Sequence, residues 1–354
     1  MDTKYKKGII VFLLAAILLP GQAGLAESVV GASDKQQPVT ATYTRIFYYR
    51  DSKEALASFK KNYRSIDILA PQAYSITGDG VLSGQVKSNI LEFAKSKGIR
   101  IMPLVTNKAF SKSHAHNFLD DSVIQKQTID TLVTEAKKFG FSGWQIDFEQ
   151  MDASYRDKFS AFIKNLGENF RNNDLTSSVA VVAQVSENPS DYPKNLWQNL
   201  IGVYDFVALG ASTDFVTLMS YDDPNSKGPV AGYSWMKKVL EHAMSLIPAE
   251  KISLGLPMYY WLWNDTKGKL VGIGGYEGIM NAFKKHYVTA NYSVEEQAPY
   301  LTWRSYYNDY KLWYENTASI KKKVELVTKN KLYGFSAWVL GLEVPAVHTV
   351  FQNM

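Results

Sequence analysis

The chain has 354 residues, 46% hydrophobic and 21% charged, with 12 Pro and 23 Gly, a balance that excludes disordered, collagen-like and many-span membrane proteins. It has no cysteine, so disulfides, thiolate metal sites, iron–sulfur clusters, cysteine nucleophiles and a lipidated N-terminal cysteine are all excluded. A formal charge of only +5, with no dense Lys/Arg cluster, argues against nucleic acid, while 22 Tyr, 17 Phe and 8 Trp supply flat rings suited to sugar faces.

Taken in chain order, Met1 to Ala26 reads as an export signal: Lys4, Lys6 and Lys7, then the apolar run Ile9 to Leu19, then small residues around Ala23 and Ala26. That run is far shorter than the roughly 20 residues a spanning helix needs, so cleavage and export are expected. Removal takes away three Lys and one Asp and leaves a mature charge of +3. Residues 27–42, rich in Ser, Gln and small side chains, read as a flexible leader, and 43–354 as the folded domain.

From residue 45 onward, short β-branched or aromatic runs alternate with segments of helical spacing, the pattern of parallel strands joined by helical crossovers. Eight runs are present: 46–50, 66–76, 99–107, 143–149, 178–186, 215–222, 252–259 and 332–341. Helices are predicted at Ser88–Lys97, Ser122–Phe139, Tyr155–Arg171, Ser234–Ile247 and Ser319–Thr328. The α/β class with eight strand–helix units predicts a closed (β/α)8 barrel, a TIM barrel. A long gap, about 260–331, holds a predicted α+β insertion between strands seven and eight. Its segments YLTWRSYY and DYKLWYE predict an antiparallel ribbon beside a helix near Glu277 to His286, forming one wall of a cleft.

The most informative run is Ser142-Gly143-Trp144-Gln145-Ile146-Asp147-Phe148-Glu149. Strand alternation puts Trp144, Ile146 and Phe148 against the helical shell and turns Gln145, Asp147 and Glu149 toward the barrel axis. A carboxylate pointing inward is costly unless it has partners or water, and the carboxyl end of a barrel strand is where such enzymes work. Two positions apart, the acids are close enough for one charge to alter the other's protonation. The bland reading of the pair is an ion pair or a solvated strand end.

This run resembles the DxxDxDxE signature of family 18 glycoside hydrolases, with Asp147 and Glu149 at its last two acidic positions and Ser142 and Gln145 replacing the first two. FVTLMSYDD (215–223) resembles the strand-six MxYD motif of the same family through Met219, Tyr221 and Asp222. GFSAWVLGLE (334–343) resembles its eighth strand, whose Trp, here Trp338, lies under the sugar being cleaved. KISLGLPMYYWLW (251–263) is similar to its seventh strand. The likeness covers residues 45–348, and the overall pattern is similar to the bacterial spore-germination and cell-wall N-acetylglucosaminidase branch.

The resemblance implies retaining hydrolysis of β-linked N-acetylglucosamine units, in peptidoglycan or chitin-type chains, assisted by the substrate's 2-acetamido group. It implies Glu149 as general acid and base, Asp147 as the residue orienting the acetamide, and Tyr221 as donor to its carbonyl. Trp338, Gln145, Met219, Asp222, Tyr259 and Tyr74 are the candidate substrate-binding residues. Tyr221 and Trp338 also suit core packing, Asp222 suits a turn cap, and Tyr259 and Tyr74 suit core packing equally. The Gln145 amide is expected to donate to Asp147 and keep it ionised.

No cofactor or metal is expected: His114 and His116 form an HxH pair with no third ligand at metal spacing. No phosphate loop and no GxSxG elbow are present. The expected partner is an N-acetylglucosamine-containing glycan, with no nucleic acid and no stable membrane insertion, and the chain is expected to act as an exported monomer. A different class of function, a non-hydrolytic glycan-binding protein with decayed chemistry at Ser142 and Gln145, fits the same aromatic cleft. Turnover of chitooligosaccharides separates the two.

Overall fold

The computed structural model describes residues 43–354; the signal and leader segments predicted above lie outside the described residues. Eight parallel strands form the barrel: β1 (Thr44–Tyr49), β2 (Ile68–Ile76), β3 (Leu104–Asn107), β4 (Gly143–Asp147), β5 (Thr176–Val182), β6 (Phe215–Met219), β7 (Ile252–Pro257) and β8 (Gly334–Trp338). The sheet closes because β1 pairs with both β8 and β2, Phe47 facing Ala337 on one side and Leu69 on the other. The architecture is the (β/α)8 TIM barrel.

The helices follow from local chemistry. Ser122–Phe139 starts where Asp121 accepts from the amides of Val123 and Ile124, and stops at Gly140 in the left-handed region (φ 72°). Its inner stripe Ile129, Leu132, Val133 and Ala136 is buried, and Trp144 of β4 donates its indole N–H to the Leu132 carbonyl at 3.0 Å. That bond fixes the outward face of β4. Thr317–Lys329 opens with a reciprocal capping pair, Asn316 and Ser319.

A five-stranded antiparallel sheet with the helix Tyr276–Lys285 fills the gap between β7 and β8. The predicted ribbon is there, Ala298–Ser305 paired with Asn308–Trp313, joined by strands Tyr260–Asn264, Lys269–Gly274 and Thr289–Ser293. The extra strands escaped prediction because Tyr260–Asn264 runs on from β7 with no turn signal, and Lys269–Gly274 is weakened by glycine. Ile279, Ala282, Leu301, Trp303 and Leu312 give this unit a core of its own.

Strand β2 carries a bulge. Gln72 pairs with Leu104, but Tyr74 pairs with the next residue, Val105, so Ala73 is surplus and the side-chain alternation inverts beyond it. The hairpin residue Gly84 (φ 125°) lies against this irregularity, where a Cβ would meet the Ala73 carbonyl at 1.9 Å.

Candidate active site

A cavity of about 400 Å³ opens at the carboxyl end of the barrel, lined among others by Tyr48, Gln72, Asp147, Glu149, Met219, Tyr221, Asp222 and Trp338. Residues from β1, β2, β4, β6 and β8 therefore converge on one space. The sequence-predicted Glu149, Asp147, Tyr221, Trp338, Met219 and Asp222 all face it.

Asp147 is 3% exposed, and its Oδ1 has no hydrogen-bond partner among the described residues. Burial first, and then the Glu149 charge, push its pKa well above the usual carboxylate range. Burial, followed by the charge of Asp222, pushes Glu149 up to about 7. Repulsion from Glu149 disfavours ionisation of both carboxyls at once.

Asn107, wholly buried at the end of β3, accepts from the Glu149 amide and donates to the Glu149 carbonyl, both at 3.0 Å. Tyr204 donates its hydroxyl to the preceding Phe148 carbonyl at 2.8 Å. Phe148 is itself wedged among Phe118, Phe159 and Phe162. The acid sits on a main chain held from several sides.

Tyr221 is 9% exposed, and its hydroxyl makes no hydrogen bond among the described residues, so the donor is available to the cavity. Its ring lies edge-on to Tyr259 (centroids 6.4 Å, 76°). Space for the ring exists because β7 carries Gly255, where a Cβ would fall 2.9 Å from the Tyr221 ring and 2.3 Å from the Leu218 carbonyl. Trp338 meets the Tyr48 ring at 5.1 Å and 60°.

Three expectations are corrected. Gln145 does not reach Asp147 and does not line the cavity. Its oxygen accepts from Tyr48 at 2.6 Å and its amide donates to Ser178 and Thr217, each at 2.9 Å. Thr217 contacts Ser336 at 3.2 Å, and Ser336 contacts Ser253 at 2.7 Å, so Gln145 belongs to a neutral polar layer inside the barrel. Asp147, lacking the expected donor, is not held ionised.

Tyr74 points away from the cavity because the β2 bulge turns it outward. There it packs edge-on against Trp144 (4.9 Å) and donates to Glu135 at 3.1 Å. Tyr259 does not line the cavity either; it supports it from behind, donating to Asp222 Oδ1 at 2.6 Å. Asp222, with φ 60°, accepts that bond and faces the cavity, where burial raises its pKa.

Sequence reasoning missed Tyr48, Arg50, Gln72, Phe110 and Asn107. Phe110 is brought to the cavity by two successive left-handed residues, Ala109 (φ 55°) and Phe110 itself (φ 50°), a conformation nothing in the residue pattern announces. Gln72 depends on the bulge. His114 and His116 have main-chain partners, accepting from the amides of Gly78 (2.9 Å) and Asp152 (3.1 Å). Among the described residues no helix is long and apolar enough to cross a membrane.

A closed parallel barrel with two interacting acids at the end of β4, under an aromatic-lined cavity, has the design of a glycoside hydrolase. The family model for glycosyl hydrolases family 18 matches residues 44–343, and the chain belongs to that family. It is similar to an uncharacterized glycosylase, YvbX, of Bacillus subtilis, 26% identical over 298 residues, covering 81% of this chain and 84% of that protein. It is also 26% identical over 278 residues to the cortical fragment-lytic enzyme of Bacillus subtilis, covering 75% of this chain and 63% of that longer protein. Among solved structures, the chitinase from Chromobacterium violaceum superposes with a TM-score of 0.78 at 26% identity, covering 88% of this chain and 98% of the other.

Proposed function

We propose that the chain is a retaining, substrate-assisted hydrolase of β-linked N-acetylglucosamine-containing glycans, of peptidoglycan or chitin type. The observation that carries this is the orphaned Oδ1 of buried Asp147, in a cavity where burial, and then the Asp222 charge, also push the Glu149 pKa up to about 7. An unpartnered buried oxygen is expensive unless a ligand supplies the missing donor, and an acetamide N–H is such a donor.

When that N–H reaches Asp147, it favours the anionic form there, and that charge favours the protonated form of Glu149. Tyr221 donates to the acetamide carbonyl and steadies it beneath the anomeric carbon, while Trp338 supports the apolar sugar face. The carbonyl oxygen then attacks C1 as Glu149 gives its proton to the glycosidic oxygen and the C1–O bond breaks. The resulting oxazolinium carries a positive charge next to the Asp147 carboxylate. Glu149, now ionised, takes a proton from water, whose oxygen opens the ring at C1. Two displacements return the original β configuration.

The names of two relatives, a cortical fragment-lytic enzyme and a chitinase, support the substrate class. The proposal includes export after removal of Met1 to Ala26, and action as a monomer without cofactor. Incubation with chitooligosaccharides and peptidoglycan fragments tests it, with products followed by proton NMR at early times. The β-anomer is expected first. Initial release of the α-anomer, or cleavage unchanged in Glu149→Gln, overturns it.

A further inference from the structure

The catalytic cavity does not end at Trp338. A second cleft of about 610 Å³ adjoins it, walled on the barrel side by Arg50 to Ser52, Glu54 and Val339 to Leu342, and on the insertion side by Tyr260, Gly274 to Gly278 and Asn281. Arg50 lines both spaces, and Trp338 and Val339 line one each. A chain leaving the sugar site over Trp338 therefore passes the Arg50 side chain.

Arg50 is the one basic residue lining either space, and its surroundings are acidic: Asp147, Glu149 and Asp222 in the first, Asp51, Glu54 and Glu277 in the second. None of these is within ion-pair distance of it. Asp51 is engaged by Lys87 at 2.5 Å and by the Tyr49 hydroxyl at 3.2 Å, and Arg50 forms no ion pair among the described residues. A planar, permanently charged five-donor group is thus presented to the groove without a protein acceptor, and its natural complement is a carboxylate.

We propose that Arg50 reads a carboxylate borne on the glycan, one or more sugars from the scissile bond, and so favours acid-substituted amino-sugar chains of the bacterial-wall type over uncharged chitin-type chains. The proposal rests on the functional reading above and narrows it. An acidic ether substituent on an alternate sugar, or the carboxylate of a peptide attached to it, presents the same chemistry to Arg50. The aromatic walls Tyr260 and Tyr276 receive the sugar ring itself. Glu54 and Glu277 repel a misplaced acid, which sharpens the register of the chain.

The test compares two substrates on wild type and Arg50→Gln: an uncharged chitooligosaccharide and a wall-glycan oligosaccharide of the same length. The latter is supplied with free ether carboxylates, with those carboxylates amidated, and with a peptide attached. Arg50→Gln is expected to raise KM for the carboxylate substrate about tenfold more than for the uncharged one. The wild-type preference should shrink with salt, because the groove is open to solvent. The arm that loses its preference on amidation identifies which carboxylate is read. Equal effects on both substrates, or an alkaline limb displaced identically on both, would show that Arg50 only balances the charge of the catalytic acids and overturns the proposal. Wild type cleaving neither substrate instead defeats the functional reading on which it rests.

Discussion

Asn107 grips the main chain of Glu149 at both polar atoms, accepting from its amide and donating to its carbonyl at the same distance of 3.0 Å. The Glu149 carboxyl thus hangs from a backbone fixed by a side chain 42 residues earlier. Asn107→Leu, similar in size, leaves both Glu149 groups unpartnered in a buried place. It should lower kcat by about a hundredfold through misplacement of the acid and cost on the order of 2–4 kcal/mol in urea unfolding. Unchanged kcat in a folded variant removes Asn107 from the positioning role.

The pH profile follows from Glu149. In the proposed donor role it must be protonated, so kcat/KM should fall as pH rises through about 7. Asp222 contributes to that elevation by its charge, after burial. Asp222→Asn removes the charge, makes ionisation of Glu149 easier and moves the alkaline limb to lower pH. Tyr259→Phe deletes the hydrogen bond that favours ionised Asp222, so it acts in the same direction but more weakly. Movement of either limb to higher pH contradicts the arrangement.

The same shift has a stability consequence. Glu149 binds its proton more tightly folded, at about 7, than in an unfolded chain, at roughly 4.3. The native state therefore holds more protons between these values, and stability falls as pH rises through that window. Glu149→Gln abolishes the penalty. Its melting temperature should exceed that of wild type at pH 8, by on the order of 2 kcal/mol in stability, and match it near pH 4. Calorimetry at the two pH values decides.

Tyr221→Phe should separate chemistry from folding. The hydroxyl has no protein partner to lose, so unfolding should change little, while kcat should drop about a hundredfold if the donor acts in the transition state. Gly255→Ala attacks the same ring from behind, since a Cβ there falls 2.9 Å from it and closer still to backbone. That variant should lose both stability and activity.

Gln145→Asp puts a carboxyl into the hydroxyl layer beneath Asp147. Tyr48, Ser178 and Thr217 can satisfy the new oxygens, so the variant is expected to fold, and its charge should raise the pKa of Asp147 further. The acid limb of the rate profile should then move to higher pH. Gln145→Leu strands the Tyr48 hydroxyl, at about 1–3 kcal/mol.

Much of this was legible in the residues. Period-two alternation placed Trp144 and Phe148 outward and both acids inward, because one face of β4 is too apolar to sit anywhere but against helices. The helix Ser122–Phe139 was predicted with the bounds it has, and the structure shows Asp121 and Gly140 capping its ends. Distances across the chain were not legible: Asn107 looks like any strand-end Asn, and no local pattern ties it to residue 149. Gln145 misled because its fate depends on hydroxyls from three other strands, those of Tyr48, Ser178 and Thr217. Tyr74 misled because alternation assumes an unbroken ladder, and one surplus residue reverses it.

That surplus residue, Ala73, also decides which codons in β2 can alter the enzyme's preference. A library aimed at the groove gains from varying position 72, whereas diversity at 74 is spent on the contact with Trp144 and the helix of Glu135. Shortening the strand by one residue exchanges those assignments in a single step, and Gly84, already pressed against the Ala73 carbonyl, is the neighbour that must yield first.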